Sequence, residues 1–148
     1  MMTMTTIKKR ISEEAMVEAF LTSRHFKSAK LYTEVPVFSR CVDLVVKNSE
    51  GQITAIEFKK AKWKEAIDQV LRVSAGFDFL EICILKPHHE GLQREIVSVC
   101  KDHGIGVYFI NPKNMKVKKV LQSKKNESLW KVQKKEIKKY LEGRDKHE

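Results

Sequence analysis

The sequence predicts a three-layer α/β/α domain on a mixed central sheet. Three observations point there. The segments read as helix, three strands, helix, strand, helix, strand. The second and third strands are joined by a turn of a few residues, which only an antiparallel hairpin allows. The later strands alternate with helices, which implies parallel crossovers. The chain carries no Gly-rich phosphate loop and no Gly-x-Ser-x-Gly turn, so a nucleotide-binding version of this layout lacks its phosphate cradle.

In chain order, Ser12 is the expected N-cap of a first helix over residues 12–24, with Glu13 and Glu14 in its first turn. Ile11, Ala15, Ala19 and Phe20 are its expected apolar stripe, with Met16 and Leu21 beside it. Residues 30–37 read as a strand holding Glu34, with Pro36 marking an edge or a bend. Residues 63–75 read as a helix whose inner face is Trp63, Ala66, Ile67 and Val70, ended by Gly76. Residues 79–85, FLEICIL, read as a buried strand. Residues 91–103 form a helix and residues 107–110, VYFI, the last strand.

The stretch that carries chemistry is residues 42–59, VDLVVKNSEGQITAIEFK. Two apolar strands there are interrupted by Asp43, Glu57 and Lys59. A carboxylate inside such a strand is costly unless something pairs with it. Side chains alternate along a strand, so Glu57 and Lys59 share a face. A three-residue loop, Ser49-Glu50-Gly51, with Gly51 left-handed, pairs Asn48 with Gln52 and brings Asp43 opposite Glu57. A slip of one residue turns Asp43 to the other face. Two carboxylates beside a lysine suit a hard cation, and Mg²⁺ is held by one or two carboxylates with waters and a substrate phosphate. The lysine is then available to the attacking water or to charge developing on phosphorus.

Asp43, thirteen intervening residues, then Glu57-Phe58-Lys59, on a hairpin followed by a helix, is similar to the core of the PD-(D/E)XK nuclease superfamily. Archaeal Holliday-junction resolvases and restriction-endonuclease-like proteins belong to it. The resemblance covers residues 12–111 and departs in one place: Val42 stands where the name-giving Pro often does. It implies a restriction-endonuclease-like core and Mg²⁺-dependent cleavage of DNA, with Mn²⁺ as a substitute, in repair, recombination or restriction. It implies that Asp43, Glu57 and the Phe58 carbonyl hold the metal and that Lys59 serves the water or the phosphate. It makes Glu14, twelve residues before Phe26, the accessory carboxylate, with Glu18 the competitor. Glu34 can either approach the metal or simply face solvent. Gln69 is similar to a glutamine that assists the site in several branches. Arg40 is a candidate phosphate contact on charge alone, Lys62 is a further candidate contact to nucleic acid, and Arg72 reads either as a supporting residue or as a solvated one.

Charge is unevenly spread. The net charge is +10, and residues 113–148 hold thirteen Lys/Arg against five Asp/Glu, while the rest hold sixteen against fourteen. The expected division is therefore a nuclease-like domain, 1–112, and a lysine-rich extension, 113–148, helical over residues 127–141 and disordered over 143–148. Trp130, Ile137 and Leu141 share that helix's apolar face. Lys131, Lys134, Lys135 and Lys138 are its candidate contacts to a phosphate backbone, bound without sequence preference. The apolar face equally fits a homodimer contact. No apolar run approaches the ~20 residues a membrane helix needs, and no apolar segment follows the N-terminal charges. Cys41, Cys83 and Cys100 lie in apolar segments without a C-x-x-C spacing, as expected of reduced core residues in a cytoplasmic protein. The alternative function is a non-catalytic nucleic-acid-binding module on the same fold. A protein-interaction subunit with a basic docking tail is a third.

Overall fold

A computed structural model describes residues 10–23 and 25–147. The elements are α1 (Glu13–Thr22), β1 (Lys30–Val37), β2 (Arg40–Lys47), β3 (Ile53–Lys59), α2 (Trp63–Arg72), β4 (Phe79–Leu85), α3 (Glu90–Asp102), β5 (Gly106–Ile110), β6 (Val117–Leu121) and α4 (Lys131–His147). Arg24, the expected last residue of the first helix, lies outside the described residues, as does Glu148. The strands form one six-stranded sheet in the order β1-β2-β3-β4-β5-β6. β1, β2 and β3 are mutually antiparallel, β3, β4 and β5 parallel, and β6 antiparallel to β5. The mixed sheet with flanking helices is the layered architecture that the alternation of segments predicts. Among the described residues no helix is long and apolar enough to cross a membrane.

Side-chain alternation divides the interior into two cores, one per sheet face. Ile56, Phe58, Cys83, Tyr108 and Ile110 pack with Met16 and Phe20 of α1. Phe20 meets the rings of Phe58 and Tyr108 edge-on, at centroid distances of 5.5 and 4.9 Å, a favoured geometry for aromatic pairs. Ala55, Ile82, Ile84, Val107 and Phe109 face α2, α3 and α4. The inner residues of α1 are thus Met16 and Phe20, while Ala15, expected in the stripe, is exposed. Cys83 and Cys100 are buried as expected, but Cys41 is exposed near the start of β2.

The chain beyond Pro112 is built into this framework. Residues 117–121 form the sixth strand, anchored where Lys119 and the Ser123 hydroxyl reach the buried Glu81 carboxylate at 3.5 and 2.9 Å. α4 begins at Lys131 rather than near residue 127, and Trp130 is 68% exposed instead of facing the core with Ile137 and Leu141. The Trp130 amide donates to the Ala75 carbonyl, which fixes the chain before the helix starts. Residues 143–147 are helical, not disordered. Arg144 donates to the Thr33 carbonyl, and the Tyr32 hydroxyl donates to Asp145, so β1 holds the last turn.

One ion pair clamps α4 to the sheet. Asp78, 1% exposed, accepts from the Ile53 amide at 2.8 Å and meets the Lys134 ammonium at 2.9 Å. Removing one partner of a buried pair leaves an uncompensated charge. Lys134→Met is therefore expected to lower unfolding free energy by about 3 kcal/mol, and Asp78→Asn in the same chain to recover part of it. Urea denaturation of the two variants checks this.

Candidate active site

The hairpin folds in the register that its turn residues dictate. The Asn48 side chain accepts from the Glu50 and Gln52 amides, Gly51 has φ +79°, and Lys47 pairs with Ile53 and Leu44 with Ile56. One step further along this ladder Asp43 stands opposite Glu57. Asp43 Oδ2 accepts the Phe58 amide at 2.8 Å, so the first carboxylate is tied to the backbone of the strand that bears the second. Glu57 and Lys59 lie on the same face as Ala55, beneath α2.

Asp43 also occupies a change of phase in the sheet. Leu44 packs in the α1-side core, yet Val42, which strict alternation would put beside it, packs in the other. The cause lies in β1. Thr33 pairs with Leu44 and Val35 with Val42, and between them Glu34 takes φ +49° across from Asp43. Non-glycine residues in this left-handed region are strained, and such strain clusters at functional sites. The twist leaves Asp43 between two openings. One is a cavity of about 220 Å³ walled by Glu13, Arg40, Asp43, Glu57, Lys59 and Gln69. The other is a cleft on the α1 side walled by Glu13, Glu14, Glu18, Glu34, Asp43 and Lys60.

The electrostatics follow from burial. Glu57 is 4% exposed. Burial, and then the facing Asp43 carboxylate, push its pKa up to about 9, against a smaller opposing pull from Lys59. The Lys59 ammonium stands 4.0 Å from Glu65 on α2, over the cavity. A divalent cation at this point would neutralise the two carboxylates and allow Glu57 to ionise. The donors are hard oxygens, as Mg²⁺ requires. Among the described residues no three His, Cys, Asp or Glu side chains stand together in a metal-holding group. The remaining positions on such an ion therefore fall to main-chain carbonyls, waters and substrate, the usual manner of Mg²⁺ binding.

The structure sorts the other candidates. Gln69 and Arg40 reach the cavity with Glu57. Glu14, Glu18 and Glu34 are exposed and line the neighbouring cleft instead. The carboxylate of α1 that reaches both openings is Glu13, half-buried, which in the sequence stands out only as a first-turn residue. It precedes Met16, Val17 and Phe20 by three, four and seven positions, the inward stripe of α1, and that spacing is the signal that marks it. If the cavity holds a metal ion, Glu13→Gln is accordingly expected to weaken Mn²⁺ binding roughly 10-fold, and Glu14→Gln by less than about 2-fold, since supporting groups around a metal site are worth such factors. Calorimetric titration with Mn²⁺ decides between them.

Lys62 precedes α2 and is exposed, outside both openings. The α4 lysines lie elsewhere. Lys134 is engaged by Asp78, and Lys138 Nζ lies 2.9 Å from where a Cβ on Gly51 would stand, over the hairpin tip. That tip is beyond Asn48, five residues or ~17 Å along the strand from Asp43. Lys131, Lys135 and Lys139 are exposed on the same helix.

No protein-family model matches this chain, and no curated protein does. Solved structures of similar fold include SPO1766, a protein of unknown function from Silicibacter pomeroyi, at 12% identity and a TM-score of 0.68, over 93% of this chain and 89% of that one. A repair endonuclease from Pyrococcus abyssi is similar at 19% identity and a TM-score of 0.53. That match covers 70% of this chain and 48% of the endonuclease, about half its length. At these identities the likeness is one of fold.

Proposed function

We propose that this chain is a metal-dependent nuclease that hydrolyses DNA phosphodiester bonds. The observation that carries the reading is the meeting of Asp43, Glu57 and Lys59 around one cavity at the carboxyl end of β3. The likeness of fold to a repair endonuclease supports it. Asp43, Glu57 and the Phe58 carbonyl would hold Mg²⁺ or Mn²⁺. The ion, when bound, supplies positive charge to a phosphoryl oxygen and makes a bound water more acidic.

The chain's own residues do the rest. Asp43, fixed by the Phe58 amide, holds its carboxylate at a set angle to Glu57. Glu57 releases its proton as the site fills and then acts as a second anionic donor. Lys59, on the same strand face, stabilises the negative charge that builds on the phosphoryl oxygens as the water oxygen bonds to phosphorus and gives its proton to solvent, while the ester P–O bond breaks and the leaving oxygen takes a proton from solvent. Gln69 and Glu13 orient the water from the walls of the cavity. Burial behind α2 strengthens each of these interactions.

A panel of labelled DNA structures, with duplex, nicked, flap and four-way forms, incubated in Mn²⁺ tests the proposal. Wild type is expected to cut at least one, and Asp43→Asn to be slower by about 10³-fold or more, the scale of losing a principal electrostatic group. DNA retention with no cleavage of any form would replace the enzyme by a binding module.

A further inference from the structure

We propose that the cavity between α3 and β6 seats the phosphate backbone of the substrate, about four nucleotides from the bond that is cut. The inference rests on the nuclease reading above and adds to it the path of the nucleic acid.

The cavity has a volume of about 640 Å³. Lys86, Arg94, Lys101, Lys116 and Lys118 surround it, and none of its lining residues is a carboxylate. All five cations are exposed. Among the described residues the one ion pair these cations make, Arg94 with Glu90, is long at 3.9 Å and solvated, and such pairs bind weakly. Val97, Phe109 and Val120 give the floor an apolar surface. An apolar floor under a rim of cationic groups matches a sugar–phosphate chain, whose deoxyribose packs below while the phosphates meet the rim.

Its place in the fold makes it part of the same surface as the site. Leu85 donates to the Lys60 carbonyl, Lys86 to Ile110, and Asn111 to Lys116, at 3.2, 2.8 and 2.9 Å. The ends of β3, β4, β5 and β6 therefore stand abreast, with Lys59 at one side and Lys116 at the other. Phe109 packs in the same core as Ala55, so the cavity opens on the sheet face that bears Glu57 and Lys59. β3 and β6 are three strand spacings apart, ~14 Å, which is the axial rise of about four nucleotides of one strand. α2 and α3 both begin at this edge, and their amino ends add positive potential. The opposite flank repels a polyanion, since Glu13, Glu14, Glu18 and Glu34 line it. The potential thus draws the strand across β4 and β5 toward β6. α4 lies at the other end of the hairpin, over Gly51.

The test is fluorescence anisotropy of a labelled 20-base-pair duplex with the full chain, in EDTA, at several salt concentrations. Lys86→Gln/Lys116→Gln/Lys118→Gln is expected to weaken binding by about 10-fold or more and to reduce the slope of log K against log salt by roughly 2 to 3, close to one unit for each phosphate no longer neutralised. Lys131→Gln/Lys135→Gln/Lys139→Gln is the rival arm and is expected to bind within about 2-fold of wild type, since those lysines stand off this path. Wild-type affinity in the cavity variant, an equal or larger weakening in the α4 variant, or no binding by wild type would each overturn the proposal. Cleavage by wild type in Mn²⁺ is read separately. If wild type cuts while the cavity variant binds normally, the seat is wrong and the nuclease reading stands. If wild type cuts nothing while the cavity variant loses binding, the nuclease reading fails and the backbone seat stands.

Discussion

Glu57→Gln is expected to abolish cleavage, by about 10³-fold or more, and to make the metal-free protein more stable at neutral pH. Both effects come from one burial. At pH 7 the Glu57 carboxyl is held as the neutral acid in the folded chain, with a pKa of about 9 against an ordinary value of 4.5. Unfolding frees it to ionise. The sign follows: the stability associated with this group is fully present below about pH 4.5 and is lost as pH rises toward 9. At pH 7 the loss amounts to about 3 kcal/mol, from 1.36 kcal/mol per pH unit. Glutamine keeps the shape and cannot ionise, so Glu57→Gln recovers much of that amount at pH 7 and little at pH 5. Urea unfolding at the two pH values, in EDTA, gives the comparison. A variant that loses cleavage and stability together at pH 7 would point to a structural role for Glu57 instead.

Metal binding at pH 7 is expected to release close to one proton per ion. Glu57 must ionise to serve as a donor, and its raised pKa means the proton is still present before the metal arrives. Affinity for Mg²⁺ or Mn²⁺ therefore climbs with pH, by up to tenfold per unit, and levels off near pH 9. Calorimetric titration in two buffers of different ionisation enthalpy measures the proton count directly. An ion that binds the folded chain and not the unfolded one stabilises the fold, so Tm rises with metal concentration. Chelation returns it to the metal-free value. Binding that is independent of pH between 6 and 9 would mean that the ion is held by groups other than Glu57.

Local chemistry makes the hairpin legible. Asn48 and Gly51 define the turn, the turn defines the register, and the register places Asp43 across from Glu57. What escapes local reading depends on distant partners. The phase change at Asp43 originates in the left-handed backbone of Glu34, one strand away. Glu13 and Glu14 are both first-turn carboxylates, and the helical spacing that marks Glu13 has meaning only once Met16 and Phe20 are packed on the sheet. β6 hides in VKKVL because an edge strand carries lysines, which protect it from further pairing. The Lys119–Glu81 pair that secures it spans 38 positions. The last turn of α4 is ordered by Thr33 and Tyr32, more than a hundred residues earlier. Lys134 reads as a surface charge until Asp78 is placed beneath it.

The proposed site makes its most direct demand on the position of the ion itself. Crystals grown with Mn²⁺ and measured at a wavelength where manganese scatters anomalously locate it without reference to activity. The expected result is one strong peak between the Asp43 and Glu57 carboxylates, within bonding distance of an oxygen of each, that disappears in Asp43→Asn. A peak confined to the outer cleft among Glu14, Glu18 and Glu34, or none at all at saturating Mn²⁺, would contradict the catalytic reading of Asp43, Glu57 and Lys59.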